Sequence, residues 1–233
     1  MSNCTEPFDE YVYRRAIGML LYISTCTRPD LAFIVSYLSK FCIAPTTAHW
    51  CGIKRVFRYL KQTIDYQLGY MKTENVFNPI VFSDSDYAND SSDSKSMGGF
   101  VVIACNGAIS WRSRKQTVVA TCTMLAEYYS MYEACKEIIW LRYIMTELNL
   151  KVDQPTELYC DNQGAISLAK GKKISERSKH CRMRYHYVRE CVSKNEITLI
   201  YVPTSVNPAD ILTKSLPAPK TLSCAIKMGI MFT

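Results

Sequence analysis

The chain has 233 residues, of which 48% are hydrophobic, and a formal net charge of +7 at pH 7. This size and composition predict one or two folded domains and exclude a disordered protein. The sequence has neither an apolar run near the roughly 18–20 residues of a membrane span nor the basic-then-apolar pattern of a secretion signal. We therefore expect a soluble, intracellular protein, and the positive charge favours an anionic partner.

The cysteines predict reduced thiols rather than a disulfide framework. There are 11 of them, an odd number, and no C-x-x-C pair occurs. In a chain of this length such scattered cysteines are typical of buried free thiols. A structural zinc site is a weaker alternative, because its spacing fits no common zinc pattern; it would use His180, Cys181, His186 and Cys191.

The first part of the chain reads as helical. Apolar residues recur at helical spacing over 11–22 and 31–41, and Pro45-Thr46-Thr47 opens a third helix that continues through Leu60. The other face of that third helix is basic, and it is either a solvated surface or a rail for a nucleic-acid backbone. The residues on this face are Lys54, Arg55, Arg58 and Lys61.

The pattern changes to strands near residue 75, where we place a domain boundary. Asn106-Gly107 separates two strand-like runs and is a strong hairpin signal. We predict a helical region over 1–75, an α/β domain over 76–216 and a peripheral tail over 217–233. The predicted elements of the α/β domain are strands at 79–84, 99–104, 108–112, 156–160 and 196–202, and helices at 123–148, 163–170, 179–193 and 207–214.

Several carboxylates lie beside apolar runs of these elements. Asp84 follows Ile80-Val81-Phe82, and Asp86 points to the same side of the strand. An unpaired buried charge costs several kcal/mol, so we predict that these acids converge around metal ions. Each also has a simpler explanation, as a boundary residue, a helix cap or a partner of the helix dipole. The other members of the set are Glu127, Asp161 and Asp210.

The motifs resemble a known family. In this order, the strings FSDSDYAND, DSKSMGGF, AISWRSRKQT, LAEYYSMYEA, LYCDNQGAI, RSKHCRMRYHYVRE and PADILTKSLP look like the ribonuclease H domain of Ty1/copia-type retrotransposon Pol polyproteins. Upstream, YRRAIGMLLYISTCTRPDLAFIVSYLSKF and HWCGIKRVFRYLKQT are similar to the thumb-like end of the same polyprotein's reverse transcriptase. Because no Tyr-x-Asp-Asp motif is present, we do not expect polymerase activity from this chain alone.

The resemblance implies a fold, a reaction and a cofactor. The fold would be α/β and ribonuclease H-like, a mixed five-stranded sheet with flanking helices. The reaction would be hydrolysis of the RNA strand of RNA–DNA hybrids with two Mg²⁺ ions, which Mn²⁺ could replace. The catalytic and metal-binding residues carried over are Asp84, Glu127, Asp161 and Asp210, with Asp86 as an alternative for the first.

The expected partners are an RNA–DNA hybrid and the remainder of a reverse transcriptase, in the cytoplasm or in virus-like particles. The alternatives are a catalytically silent retrotransposon-derived fragment and, disfavoured by the motif order, a transposase or integrase. Contacts to the hybrid would favour phosphates and 2′-hydroxyls over base edges, although each basic residue could equally be solvated surface. The predicted nucleic-acid-binding residues are Arg112, Arg114, Lys115, Asn162, Gln163, Lys172, Lys173, Lys179, Arg182 and Arg184.

Overall fold

The computed structural model describes residues 6–72, 77–90, 93–171 and 182–232. Its first part contains the three helices that the apolar spacing predicts, α1 (Glu10–Cys26), α2 (Ala32–Ser39) and α3 (Thr47–Gln62). Their apolar faces form a core of their own, with Tyr13 and Ile53 fully buried in it. Within the described ranges, no helix has the length and apolar character needed to cross a membrane.

A mixed five-stranded sheet forms the centre of the second part. Its strands are β2 (Ile80–Asp86), β3 (Met97–Ala104), β4 (Gly107–Lys115), β5 (Thr156–Cys160) and β6 (Ile197–Tyr201). Their order in the sheet is β4-β3-β2-β5-β6. The hairpin strands β2, β3 and β4 are antiparallel, whereas β2, β5 and β6 run parallel. The α/β architecture expected from the sequence is therefore confirmed.

The predicted Asn-Gly hairpin lies between β3 and β4. Cys105 and Asn106 have φ angles of 51° and 60°, the left-handed conformation that a two-residue hairpin turn requires. Asparagine tolerates this conformation better than most residues. The turn lets β4 fold back as the edge strand that carries Arg112, Arg114 and Lys115.

Helices cover both faces of the sheet. On one face α4 (Thr123–Glu147), α5 (Gln163–Lys170) and α6 (Arg182–Ser193) pack over Phe100 and Val102 of β3. On the other face Val101 and Ile103 contact a second core cluster, which includes Leu212 and Met228. Side chains alternate across a strand, so β3 is apolar on both sides because both sides are covered.

The prediction of a peripheral tail over 217–233 is wrong. That segment forms α7 (Ala218–Lys227) and β7 (Ile230–Phe232), and β7 pairs antiparallel with β1 (Tyr66–Leu68). Cys224 and Met228 of this segment are buried, because they cover the sheet face that α4 leaves open. The segment therefore belongs to the folded core.

Two further predictions change or stay open. The last predicted helix, 207–214, is instead a short 3-10 helix, Pro208–Leu212. The boundary near residue 75 lies outside the described residues, so the division into domains remains a prediction. The two parts are in contact, since the indole N–H of Trp111 on β4 donates to the carbonyl oxygen of Ser24 on α1 at 2.8 Å.

Candidate active site

The fold brings the predicted carboxylates to one edge of the sheet. Ser83 and Cys160 are paired on the parallel strands β2 and β5. The next residues along the chain, Asp84 and Asp161, therefore lie side by side. One ligand oxygen from each of Asp84, Asp161 and Asp210 lies within 4.8 Å of the others. Asp161 also forms a second group of this kind with Glu127 and the thiol of Cys160. We call Asp84, Glu127, Asp161 and Asp210 the acidic cluster.

Local structure explains how each member is held. Glu127 lies in the second turn of α4, where its Oε1 accepts hydrogen bonds from the backbone N–H and the hydroxyl of Ser85 at 3.1 and 3.2 Å. The Thr204 hydroxyl donates to Asp161 Oδ2 at 2.6 Å. The Asn207 amide donates to the carbonyl oxygen of Ser83 at 3.0 Å. This last contact ties the start of the 3-10 helix that carries Asp210 to β2.

The structure separates the two alternatives for the first acid. Asp84 is only 1% exposed and belongs to the acidic cluster. Asp86 is partly exposed and accepts a hydrogen bond from the side chain of Asn89. Among the described residues, Asp86 is in neither group of clustered ligand atoms. Sequence periodicity could not make this distinction, because both side chains lie on the same side of β2.

Burial and the repulsion from neighbouring acids make two members of the cluster, Asp84 and Glu127, hard to ionise. Burial raises the pKa of Asp84 to about 7; the Lys214 ammonium opposes this shift and the Asp210 carboxylate adds to it. Burial, together with the charges of Asp84 and Asp161, raises the pKa of Glu127 to about 9 in spite of its hydrogen bonds from Ser85. Burial is the first cause of both shifts, and the neighbouring carboxylates add to it.

Two lysines that the sequence analysis missed reach the cluster. The Lys214 Nζ lies 3.1 Å from Asp210 Oδ1 and 3.5 Å from Asp84 Oδ2. Burial lowers the pKa of Lys214, but the carboxylates of Asp84 and Asp210 outweigh it and leave the pKa raised. Lys220 of α7 pairs with Asp210 Oδ2 and donates to the carbonyl oxygen of Thr204 at 3.0 Å. Lys214 follows Asp210 by four residues, a spacing that could have drawn attention to it. Lys220 lies in the segment expected to be a tail, and no sequence signal indicated it.

The donor set suits a divalent ion of the Mg²⁺ type. Carboxylate oxygens are the hard ligands that Mg²⁺ and Mn²⁺ prefer, and four carboxylates contribute here. Asp210 Oδ1 is also a buried oxygen that receives no hydrogen bond. Lys214 is near enough to form an ion pair with this oxygen, but its direction does not meet hydrogen-bond geometry.

The predicted nucleic-acid contacts fall into a cleft and a separate helix start. Arg112, Arg114 and Lys115 of β4 line one cleft with Arg184 of α6. Acids already pair with two of them: Glu133 lies 3.0 Å from Arg112, and Asp90 and Asp93 each lie 2.7 Å from Lys115. The Arg184 guanidinium stacks over the Tyr129 ring at 4.9 Å.

The remaining residues predicted to bind nucleic acid lie outside this cleft or outside the described ranges. The Asn162 side chain caps α5 by accepting from the Ala165 N–H at 2.9 Å, so its oxygen is engaged. Gln163 is exposed beside it. Arg182 begins α6, but its side chain is not described. The residues outside the described ranges are Lys172, Lys173 and Lys179, together with His180 and Cys181 of the alternative zinc site.

Comparisons with known proteins agree with this architecture. No protein-family model matches the chain. The retrovirus-related Pol polyprotein from transposon TNT 1-94 of Nicotiana tabacum is 37% identical over 218 residues, 94% of this chain and 16% of that polyprotein. The chain therefore spans about a sixth of the length of this relative.

Two solved structures match the chain, one of them with a TM-score above 0.5. A foamy viral protease-reverse transcriptase in complex with an RNA/DNA hybrid matches with a TM-score of 0.52 and 15% identity, covering 87% of this chain and 26% of that one. LC11-RNase H1 in complex with an RNA/DNA hybrid matches with a TM-score of 0.45 and 16% identity, covering 58% of this chain and 94% of that one. The fold is ribonuclease H-like, and over most of its length the chain is similar to part of the retrovirus-related Pol polyproteins of copia-type transposons.

Proposed function

We propose that the chain is a divalent-metal-dependent endonuclease that hydrolyses the RNA strand of RNA–DNA hybrids during retrotransposon reverse transcription. One observation carries the proposal: carboxylates from separate elements of a ribonuclease H-like fold meet at one sheet edge. Two bound Mg²⁺ ions would supply an activated water and stabilise the leaving 3′ oxygen. Asp84, Glu127, Asp161 and Asp210 are the residues that would hold them.

The protein's own part in this reaction is to position and to bind. Ser85 orients Glu127, and Thr204 orients Asp161, which fixes the ligand oxygens before an ion arrives. Preorganised ligands of this kind lower the cost of assembling the site. No side chain needs to act as a covalent nucleophile, because the attacking group is water.

We propose that phosphates of the hybrid bind in the cleft that is lined by Arg112, Arg114, Lys115 and Arg184. It adjoins the acidic cluster, since the Gln116 amide in the same cleft donates to the carbonyl oxygen of Ala126, the residue before Glu127, at 2.9 Å. Phosphate contacts would fix the register of the hybrid. Selectivity for RNA would come from its 2′-hydroxyls and helix shape.

A cleavage assay tests the proposal. We expect Mg²⁺-dependent cutting of a labelled RNA strand in an RNA–DNA hybrid, and a loss of at least about 100-fold in Asp161→Asn. The matched control is Asp153→Asn, because Asp153 is an exposed acid away from the cluster, and it should cut like the wild type. Hybrid binding without cutting by the wild type would instead support the catalytically silent fragment. Cutting of duplex DNA would support the integrase alternative.

A binding assay tests the cleft separately. Arg114→Ala should weaken hybrid binding, and the slope of log K against log salt should fall by about 1 for the lost phosphate contact. Lys194→Ala, at the exposed end of α6, should leave the slope unchanged. Equal slopes for the two variants would place the hybrid elsewhere.

A further inference from the structure

The Lys214 ammonium lies where a cation between two carboxylates would lie. It is 3.1 Å from Asp210 Oδ1 and 3.5 Å from Asp84 Oδ2. The side chains of those acids are 0% and 1% exposed, whereas 29% of the Lys214 side chain is exposed. The ammonium therefore contacts buried carboxylates, while part of the Lys214 side chain remains exposed to solvent.

Lys220 contacts the same carboxylate in a different way. It approaches the opposite oxygen, Asp210 Oδ2, and its ammonium also donates to the Thr204 carbonyl oxygen. It lies on α7, whose buried residues anchor it to the sheet. Lys220 is thus held by a backbone group as well as by charge, outside the space between Asp84 and Asp210.

The fit of Lys214 is incomplete. Asp210 Oδ1 is buried and receives no hydrogen bond, although the Lys214 charge lies beside it. An ammonium needs its N–H groups aligned with the acceptor. A metal ion has no such requirement, carries a second charge and takes carboxylate oxygens at about 2.0–2.1 Å in the case of Mg²⁺. The oxygen is therefore better suited to a metal ion than to the lysine.

We propose that Lys214 is a displaceable ammonium, which occupies the space between Asp84 and Asp210 in the ion-free protein and leaves when a divalent ion binds. This inference rests on the proposed metal site. The lysine offsets the repulsion between the carboxylates, so the cluster stays assembled without ions. Its flexible four-carbon stem allows the departure. Every divalent ion that binds must therefore compete with the Lys214 ammonium. Lys220, by contrast, stays in place.

Ion affinity gives the first test. We expect Lys214→Met to bind Mn²⁺ about tenfold more tightly than the wild type in calorimetry, because the competitor is gone. Its melting temperature without ions should be lower, since the repulsion is no longer offset. The matched control is Lys227→Met, which removes the same charge from a lysine whose ammonium donates to the Val206 carbonyl oxygen. Lys214→Gln serves if the methionine variant does not fold without ions.

Chemical reactivity gives the second test and separates displacement from a mere effect of nearby charge. Acetylation of Lys214, followed by mass spectrometry on the wild-type chain, should become several-fold faster at saturating Mg²⁺, while Lys220 and Lys227 keep their rates. An unchanged Lys214 rate, or Mn²⁺ affinity in the variant no higher than in the wild type, overturns the inference while leaving the metal site standing. If the wild type binds no Mn²⁺, the proposed function fails as well.

Discussion

Two groups of buried charges in this molecule differ in how fully the protein balances them. In the helical part, the Arg28 guanidinium forms two hydrogen bonds to Asp30, at 3.0 and 2.8 Å. It also donates to the carbonyl and hydroxyl oxygens of Thr63 at 3.2 and 2.9 Å. The Tyr59 hydroxyl donates to Asp30 at 2.9 Å. One positive and one negative charge are thus buried together with directed partners.

The acidic cluster has the opposite character. Its buried members, Asp84, Glu127 and Asp210, are 1%, 5% and 0% exposed, and the pKa values of Asp84 and Glu127 are raised by burial first and by neighbouring acids as well. A paired, saturated group of charges is what a structural element needs. A cluster in which four acids outnumber their two lysine partners indicates a functional site. The comparison predicts opposite responses to removing a charge in the two places.

The largest expected effect is on cleavage. Asp84→Asn should lower Mg²⁺-dependent cutting by at least about 100-fold, because a metal ligand is lost. The same variant should be more stable than the wild type in a chelator, since it removes a repelled buried charge. Asp30→Asn should do the reverse, leaving cutting by the folded protein intact and lowering the urea midpoint. If both variants were destabilised alike, the contrast between the two groups would fail.

The next effect is on stability in the helical part. Arg28→Met should destabilise the protein by about 3–5 kcal/mol, because it leaves the Asp30 carboxylate buried without its counter-ion. The double variant Arg28→Met/Asp30→Leu should recover most of that loss, since no charge is then stranded. Urea unfolding monitored by circular dichroism measures both. A loss below about 1 kcal/mol in the single variant would mean that the pair is not a buried structural element.

A smaller effect concerns pH. Because both pKa values are raised, the folded, ion-free protein binds more protons than the unfolded chain. For Asp84 this difference extends from pH 3.8, its ordinary pKa, to about pH 7, and for Glu127 from pH 4.5 to about pH 9. Stability in a chelator should therefore be greatest at the acidic end of this window and fall as pH rises through it. Unfolding midpoints between pH 5 and pH 9 measure this, with Mg²⁺ reducing the decline. Glu127→Gln should flatten the upper part of the curve, and a slope unaffected by that substitution would assign the protons to other groups.

The smallest effect is expected at an exposed pair. Arg14 and Glu10 are 55% and 50% exposed and lie 2.8 Å apart on α1. Glu10→Gln should change the free energy of unfolding by about 0.5 kcal/mol, because solvent screens such pairs. Thermal unfolding measures the change. An effect as large as that of Arg28→Met would show that burial does not set the difference.

Sequence patterns could predict the acids because each interrupts a regular apolar pattern. Asp84 follows the apolar residues of β2, and Glu127 lies among buried residues of α4. The Asn106-Gly107 pair indicated the hairpin for a similarly local reason, although the two left-handed residues of its turn are Cys105 and Asn106. Signals of this kind depend on only a few neighbouring residues, and the structure agrees with them.

The missed features depend on distant parts of the chain. The pairing of β1 with β7 joins Leu68 to Ile230, and β7, with three residues, is too short for periodicity to reveal. Lys220 reaches Asp210 only because α7 packs against the sheet. Lys214 had a local signal in its four-residue spacing from Asp210, but nothing in the local sequence indicates that Lys220 reaches the same acid.

The most direct test of the central claim is a crystal structure of the chain with Mn²⁺, located by anomalous scattering. We expect two Mn²⁺ ions about 3.5–4 Å apart, held by Asp84, Glu127, Asp161 and Asp210, with Lys214 turned away from Asp84. Crystals soaked at saturating Mn²⁺ with no anomalous signal at these carboxylates, and with Lys214 still between Asp84 and Asp210, would contradict it.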